Sequence, residues 1–327
     1  MKEKVLITGA SGFLGFHLIE AALANNLDVY AAVRIGSNID HLKNLPITFA
    51  YPDFTNLFKL RNEIIAGQYD YIIHAAGLTK GKNEEEYNMV NAQYSLTLGK
   101  AAQTSQASIK KFIFISSLAA VGPIDKYANS INELTPENPV TSYGKSKLLA
   151  EGMLQQLTLP LIILRPTAVY GPRDKDIFIM FKAIKRGIEI YLGKQNQQLS
   201  FIYVKDVANL AISALFSNRK GVYNIADGNN YTRYDLAIYL KQYLNQKTIK
   251  FHLSKNVVEI TAFILEYSMR MFNKTSVLNR EKLNELLASN WACDIKKAKN
   301  ELGFVPKYDL DKGLKESVDW YRQNKWL

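Results

Sequence analysis

Tyr143 and Lys147 stand four residues apart. On a helix a phenol and an ammonium at that spacing share one face. A phenol has a reference pKa near 10 and needs help to exchange protons at neutral pH. A nearby ammonium favours the phenolate, as does a cationic ring beside it. Such a phenol acts as general acid in one direction and general base in the other, a role contributing about 10²–10⁴ in rate. The spacing alone selects nothing, because Tyr243/Lys247, Tyr308/Lys312 and Tyr321/Lys325 repeat it. What selects Tyr143 is its setting. The apolar run 112–115 ends in Ser116-Ser117, and Ser117 lies 26 residues before Tyr143. Both hydroxyls can then converge on one carbonyl oxygen, which needs donors at about 3 Å. The other three pairs fall in a later, helical region without such a partner and read as solvated helix faces.

A second group of residues could hold phosphates. Val5-Leu6-Ile7-Thr8-Gly9-Ala10-Ser11-Gly12-Phe13-Leu14-Gly15 reads as a strand, a turn and a helix start. Gly9 allows the tight turn, Gly12 removes a side chain where backbone must approach a pyrophosphate, and Gly15 lets helix and strand pack closely. The free N–H groups and dipole of the helix start attract the phosphates, which brings Ser11, Phe13 and Leu14 into the site. As a bare string the glycine spacing is weak; its place after the first strand gives it meaning.

The second strand ends Ala31-Ala32-Val33-Arg34 with no acidic residue for a ribose hydroxyl. Arg34 stands where a cation meets a 2′-phosphate, with Ser37 and Asn38 nearby. This favours NADP(H) and leaves NAD(H) open, since a guanidinium can equally face solvent or stack on adenine. Asp53, beside Phe54, is placed to accept from an adenine amino group, or to serve as a loop carboxylate or helix N-cap. His74-Ala75-Ala76-Gly77 ends the fourth strand, and Ala75, Ala76 and Gly77 leave room for a ribose. His74 itself reads as packing. Asn91 is placed to orient Lys147, a water or the cofactor, or to satisfy neighbouring backbone.

These residues need a scaffold. Apolar runs at 4–8, 29–33, 47–50, 71–74, 112–116 and 161–164 read as parallel strands buried on both faces. Helical patterns at 12–24, 56–66, 84–106 and 142–157 alternate with them. That order predicts a doubly wound parallel α/β sheet whose strand ends form one ligand-bearing edge. After Pro172 strands become rarer (199–204, 222–225, 249–251) and helices dominate, as in a smaller lobe. The expected division is 1–172 for the dinucleotide domain, with 199–226 returning to it and 206–216 as a return helix. Residues 173–198 and 227–327 then form a mostly helical substrate lobe.

The chain has 327 residues, 47% hydrophobic and 22% charged, as for a folded enzyme rather than a disordered chain. One cysteine, Cys293, excludes an internal disulfide and fits a reducing, cytoplasmic location. His17, His41, His74 and His252 show no metal-ligand spacing, so no metal is expected. The stretch 257–272 carries Glu259, Glu266 and Arg270 and is too short and charged to span a bilayer; it reads as an amphipathic core helix. The net charge of +11 is dispersed, without a basic arm or RNA-binding aromatic signature, so the expected partner is a small molecule, not nucleic acid.

Together these residues resemble the extended short-chain dehydrogenase/reductase family, also called the NAD-dependent epimerase/dehydratase family. The likeness covers nearly the whole chain. It includes Thr8-Gly-Ala-Ser-Gly-Phe-Leu-Gly15, His74-Ala-Ala-Gly77, Ser116-Ser117, Tyr143 with Lys147, and Leu164-Arg-Pro-Thr-Ala-Val-Tyr-Gly-Pro172. Phe201-Ile-Tyr-Val-Lys-Asp206, Val222-Tyr-Asn-Ile-Ala226 and Leu302-Gly-Phe-Val-Pro306 extend it. The resemblance implies a Rossmann fold, Gly9, Gly12 and Gly15 at the pyrophosphate, and Ser117, Tyr143 and Lys147 as catalytic residues. It further implies that Pro166 to Val169 line the nicotinamide, and that two copies pair through the helices at 84–106 and 142–157.

Departures narrow the subtype. Nucleotide-sugar members carry Asn where this chain has Ala168, and Arg where it has Leu199-Ser200. A later Arg-Pro-x-Asp element is replaced by 286–294, so the usual diphosphate clamp is missing. Leu118-Ala119-Ala120 stands where sugar dehydratases carry an Asp-Glu pair. Arg34 and Pro166-Thr167 look more like the dihydroflavonol-reductase and 3β-hydroxysteroid-dehydrogenase branches. The expected activity is NADP(H)-dependent interconversion of a carbonyl and a secondary alcohol on a non-nucleotide substrate. The alternatives are a nucleotide-sugar epimerase, its diphosphate held by Lys175, Lys182 or Lys194, and a cofactor-binding protein without turnover.

Overall fold

The structure, a computed structural model, describes residues 2–105, 109–125, 129–193, 196–254 and 280–327. Six strands open the chain: β1 (Lys4–Thr8), β2 (Asp28–Ala32), β3 (Thr48–Ala50), β4 (Tyr71–His74), β5 (Lys111–Ile115) and β6 (Leu161–Pro166). Short pieces follow: β7 (Ala168–Tyr170), β8 (Ile188–Leu192), β9 (Gln198–Leu199), β10 (Phe201–Tyr203), β11 (Gly221–Ile225), β12 (Tyr231–Thr232) and β13 (Ile249–Leu253). The first six join β11 in one parallel sheet, in the order β11-β6-β5-β4-β1-β2-β3.

Successive strand residues point to opposite faces, so an unbroken apolar run fills two cores at once. Val5, Ile7, Ile73, Ile113 and Ile162 enter one cluster; Leu6, Ile72, Phe112, Phe114 and Ile163 enter the other. Helices α1 (Phe13–Ala24), α2 (Leu57–Gly67), α3 (Glu84–Tyr87), α4 (Tyr94–Thr104), α5 (Ser142–Gln155), α6 (Phe178–Lys185), α7 (Val204–Leu215) and α8 (Asp235–Leu244) follow in chain order. Leu18, Ile19 and Ala22 of α1 and Val207, Ala211 and Ile212 of α7 cover the first face. Leu60 and Ile64 of α2, Leu98 and Ala101 of α4, and Ala150 and Leu154 of α5 cover the second. Side-chain caps fix two starts: Asn56 Oδ1 accepts from Lys59 N at 3.0 Å, and Thr141 Oγ1 from Gly144 N at 3.0 Å.

Several expectations change. The helix expected at 84–106 contains a π-helical turn, Asn88–Gln93, between α3 and α4. Strands are not rare after Pro172. The pairs β7–β10, β9–β12 and β8–β13 make three two-stranded sheets, each joining segments far apart in sequence. Local pattern cannot show such pairs. The strand expected at 199–204 breaks at Ser200, where the chain passes from antiparallel pairing with β12 to parallel pairing with β7, and α7 already begins at Val204. The stretch 257–272, Gln106 and Lys194 lie outside the described residues. Among the described residues no helix is long and apolar enough to cross a membrane.

Candidate active site

The glycine turn is where backbone packs closest. Gly9 has φ +71°, and a Cβ there would lie 2.7 Å from Ala75 O. A Cβ on Gly15 would lie 2.1 Å from Gly9 O, so α1 can start against the turn only without one. Gly12 is exposed and closes the turn, its N–H donating to Gly9 O at 2.9 Å. It is also the N-cap of α1, and no side chain among the described residues caps that helix. The first-turn N–H groups at Phe13 and Leu14 therefore face an open, half-buried edge beside Ser11. Uncapped N–H groups plus the helix dipole suit a pyrophosphate, so these residues fit a dinucleotide.

Arg34 lies just past β2 and is exposed; its carbonyl closes a turn with Ser37 N at 3.0 Å. Asp53 engages its own loop. Its Oδ1 accepts from Thr55 N (3.1 Å) and Thr55 Oγ1 (2.6 Å), and Oδ2 lies 3.5 Å from Lys59 Nζ. The cap of α2 is Asn56. Phe54 turns inward, stacked on Tyr94 with centroids 6.2 Å apart and tilted against His74 at 6.3 Å.

His74 organises the edge beyond β4. Its Nδ1 lies 2.7 Å from Thr8 Oγ1, and its Nε2 2.8 Å from Ser95 Oγ. Ser95 spends its proton on Asn91 O at 2.6 Å, so Nε2 must be the donor and Nδ1 the acceptor. Burial, then Lys147, pushes the ring's pKa down to about 3, which keeps it neutral. Thr8 Oγ1 in turn accepts from Ala76 N at 3.1 Å, which holds Ala75 to Gly77 beside the glycine turn. Asn91 sits on the π-helical turn. Its Oδ1 accepts from Leu78 N (2.6 Å), and its Nδ2 donates to Leu78 O (3.0 Å) and Ser146 Oγ (2.9 Å). Its amide ties the β4 edge to α5 and makes no hydrogen bond to Lys147.

Lys147 is buried on α5. Its Nζ donates to Ile115 O at 2.9 Å and stands 4.7 Å from the Phe114 ring centroid. A Cβ on Gly77 would meet that Nζ at 3.2 Å, so a larger residue would crowd the ammonium. Burial brings the Lys147 pKa down to about 8, against the pull of Glu151. Tyr143, one turn earlier, lies close enough to Ser117 for that hydroxyl to act on the phenol, and meets the Tyr87 ring edge-on, 6.4 Å between centroids. Ser117 Oγ accepts from Ala119 N at 3.1 Å, leaving its proton to donate. The expectation of a lowered phenol pKa does not hold for the polypeptide alone. Burial pushes Tyr143 up to about 12; Ser117 pulls it down, Glu285 and Tyr87 push it further up, and Lys147 is not among the groups that move it.

The other three tyrosines divide. Tyr243 hydrogen-bonds Asp311, and Lys312 lies over the Tyr308 ring at 4.6 Å. Tyr321 is not on a solvated face. It is 1% exposed in the lobe core, its hydroxyl 2.8 Å from Gly171 O and 2.9 Å from Asp174 O.

Sequence reasoning missed the support beneath the site. Arg165, on β6, grips Glu151 of α5 with Nε 3.0 Å from each carboxylate oxygen and Nη2 at 2.5 Å, and reaches Glu137 at 3.2 Å. Ser116 donates to the same Glu151. Glu151 follows Lys147 by four residues, and that spacing was the available signal. Glu281 accepts from Ser142 N (2.8 Å) and Ser142 Oγ (2.7 Å) at the start of α5; at 139 residues' separation it left no local trace.

On the substrate side, Leu118, Ala119 and Ala120 are buried in a 3₁₀ turn. Ser200 is buried, accepting from Cys293 N at 3.1 Å. Lys182 lies over the Phe178 ring at 4.8 Å. Pro166 closes β6 buried and in register with Ile225, and Val169 is half-buried on β7.

Comparison with known proteins agrees with this architecture. The chain is 26% identical over 325 residues to a ceramide reductase of Caulobacter vibrioides, covering 99% of this chain and 96% of that one. It is 25% identical over 333 residues to an N-acetyl-alpha-D-glucosaminyl-diphospho-ditrans,octacis-undecaprenol 4-epimerase of Escherichia coli O157:H7, covering 98% and 96%. The solved UDP-glucose 4-epimerase of Thermotoga maritima with UDP-glucose superposes with a TM-score of 0.80 at 21% identity, over 98% of this chain and 99% of that one. The model of the NAD dependent epimerase/dehydratase family matches residues 5–226, most of the chain including the glycine turn, Ser117, Tyr143 and Lys147, and the chain belongs to that family.

Proposed function

We propose that this chain interconverts a secondary alcohol and a carbonyl on a small, non-nucleotide substrate, with NADP(H) as the preferred partner. The observation that carries this is the meeting of Ser117, Tyr143 and Lys147 beside the β4 edge and glycine turn. A nicotinamide dinucleotide bound there supplies or accepts the hydride. Residues 1–172 with 199–226 would hold it: Gly9, Gly12 and Gly15 would take its phosphates, Ala75 to Gly77 would leave room for a ribose, and Pro166 to Val169 would line the nicotinamide. Residues 173–198 and 227–327 hold the substrate. In reduction Ser117 donates to the carbonyl oxygen and Tyr143 delivers the proton; in oxidation Tyr143 takes it back. A phenol near 12 suits the acid role. Oxidation needs a positive charge beside it, which the oxidised ring provides. Lys147 has two N–H groups beyond the one on Ile115 O, and they suit ribose hydroxyls.

Arg34, exposed past a strand end without a neighbouring carboxylate, supports NADP(H). The buried apolar 118–120 turn supports redox chemistry over elimination, and the buried, engaged Ser200 supports a substrate without a diphosphate. The ceramide reductase relative is in keeping with that. A second reading, epimerisation through a transient ketone, is favoured by the 4-epimerase relatives. Pairing of two copies through the helical stretches at 84–106 and 142–157 is supported by the exposed Met89 and Leu149, and a cytoplasmic site by the single, buried Cys293.

The test is Tyr143→Phe. Turnover should fall about 10²–10⁴-fold. NADPH should still raise the melting temperature, and by more than NADH does. Persisting turnover removes Tyr143 from the reaction, equal stabilisation by NADH removes the Arg34 argument, and oxidised cofactor released on denaturing the purified protein favours the epimerase.

A further inference from the structure

The small sheet β8–β13 turns one apolar face to the surface. In β8 the buried residues are Glu189 and Tyr191, while Ile188 (37% exposed) and Ile190 (53%) point away. The parallel register sets Ile249 (67% exposed) beside Ile188 and Phe251 (46%) beside Ile190. Four large apolar side chains thus form one contiguous exposed patch. None of them joins a hydrophobic cluster of the described residues.

Cations rim one end of this patch. Lys185 and Arg186 end α6 and lead into β8; Lys247 precedes β13. Ile249 N donates to Gly187 O at 2.8 Å, which brings the two approaches together. All three cations are exposed. The one acidic residue in 182–193 and 247–254 is Glu189. It is buried, with Lys241 Nζ at 2.7 Å and Tyr191 and Thr248 also bound to it, so it offers the rim no opposing charge.

We propose that this face docks on an anionic lipid surface, Ile188, Ile190, Ile249 and Phe251 entering the acyl boundary while Lys185, Arg186 and Lys247 meet the headgroup phosphates. Apolar side chains beside cations are the combination that binds such interfaces, with the charged part screened by salt. The patch belongs to the segments assigned to the substrate, so docking would bring that lobe to a membrane-held substrate. Docking at this face does not depend on which reaction the site carries out.

The experiment is co-sedimentation of the full chain with phosphatidylcholine vesicles, with and without phosphatidylglycerol, at about 0.1 M and about 1 M salt. Binding should require phosphatidylglycerol and weaken at high salt. Ile190→Ser with Phe251→Ser should weaken it at least about tenfold, and Lys185→Gln with Arg186→Gln should weaken it on the anionic vesicles. An unchanged melting temperature and circular-dichroism spectrum show that each variant is folded. Absence of binding, equal binding to neutral vesicles, or retention by either variant pair overturns the proposal. So does a dimer abolished by Ile190→Ser in a protein that ignores vesicles, since the face would then cover a second copy.

Discussion

The sheet half and the C-terminal lobe bury their polar groups in different ways. Between the sheet and its helices the cores are chiefly Val, Ile, Leu and Ala. The lobe core is richer in rings: Tyr170, Phe178, Phe181, Tyr203, Tyr231 and Tyr321 pack among Leu236, Leu240, Leu310 and Leu314. In the sheet half Arg165 and Glu151 form a buried ion pair under α5. In the lobe, phenol hydroxyls carry the polar links across the fold: Tyr170 donates to Asp309 O at 2.9 Å, and Tyr321 reaches Gly171 O and Asp174 O. A ring supplies area and one donor, so it can join distant segments without a strand between them. The difference teaches that one half is held by repeated pattern and the other by individual long-range contacts.

The comparison is broken most severely at Arg165. Arg165→Met leaves Glu151 buried without its cation and should cost about 3–5 kcal/mol, read as a lower denaturant midpoint. Adding Glu151→Leu should recover most of that loss; if it does not, the pair matters for more than its charges. Next comes Tyr321→Phe, which removes one hydroxyl and leaves two buried carbonyls. It should cost about 1–3 kcal/mol and leave the melting shift with NADPH intact. A lost shift would mean that the lobe core also holds the nucleotide edge. The smallest effect concerns Lys147. Burial holds its pKa near 8, so the ammonium is present below that pH and lost as pH rises through it. NADPH affinity should be flat up to about pH 8 and then decline. Lys147→Arg, which does not titrate there, should abolish that decline even where affinity is lower throughout.

Tyr321 also marks where sequence reading stops. Its spacing to Lys325 reads as a solvated helix face, yet its hydroxyl meets carbonyls about 150 residues away. Tyr143 has the same spacing and could be singled out only because Ser117 follows a strand. The π-helical turn that carries Asn91 was equally hidden, since its helical pattern continues unbroken through α3 and α4.

By itself the sequence determined the parallel sheet, the glycine turn and the pairing of a phenol with an ammonium on one helix. Each follows from a local requirement: apolar runs buried on two faces, a positive φ at Gly9, and the periodicity of α5. Tertiary structure alone decided the tautomer of His74, the three hydrogen bonds that occupy the Asn91 side chain, the Glu281 seat on Ser142, and a Tyr143 phenol pushed up rather than down. These depend on partners brought close by folding and on burial, since the energy of a charge or a donor is set by whatever surrounds it in space.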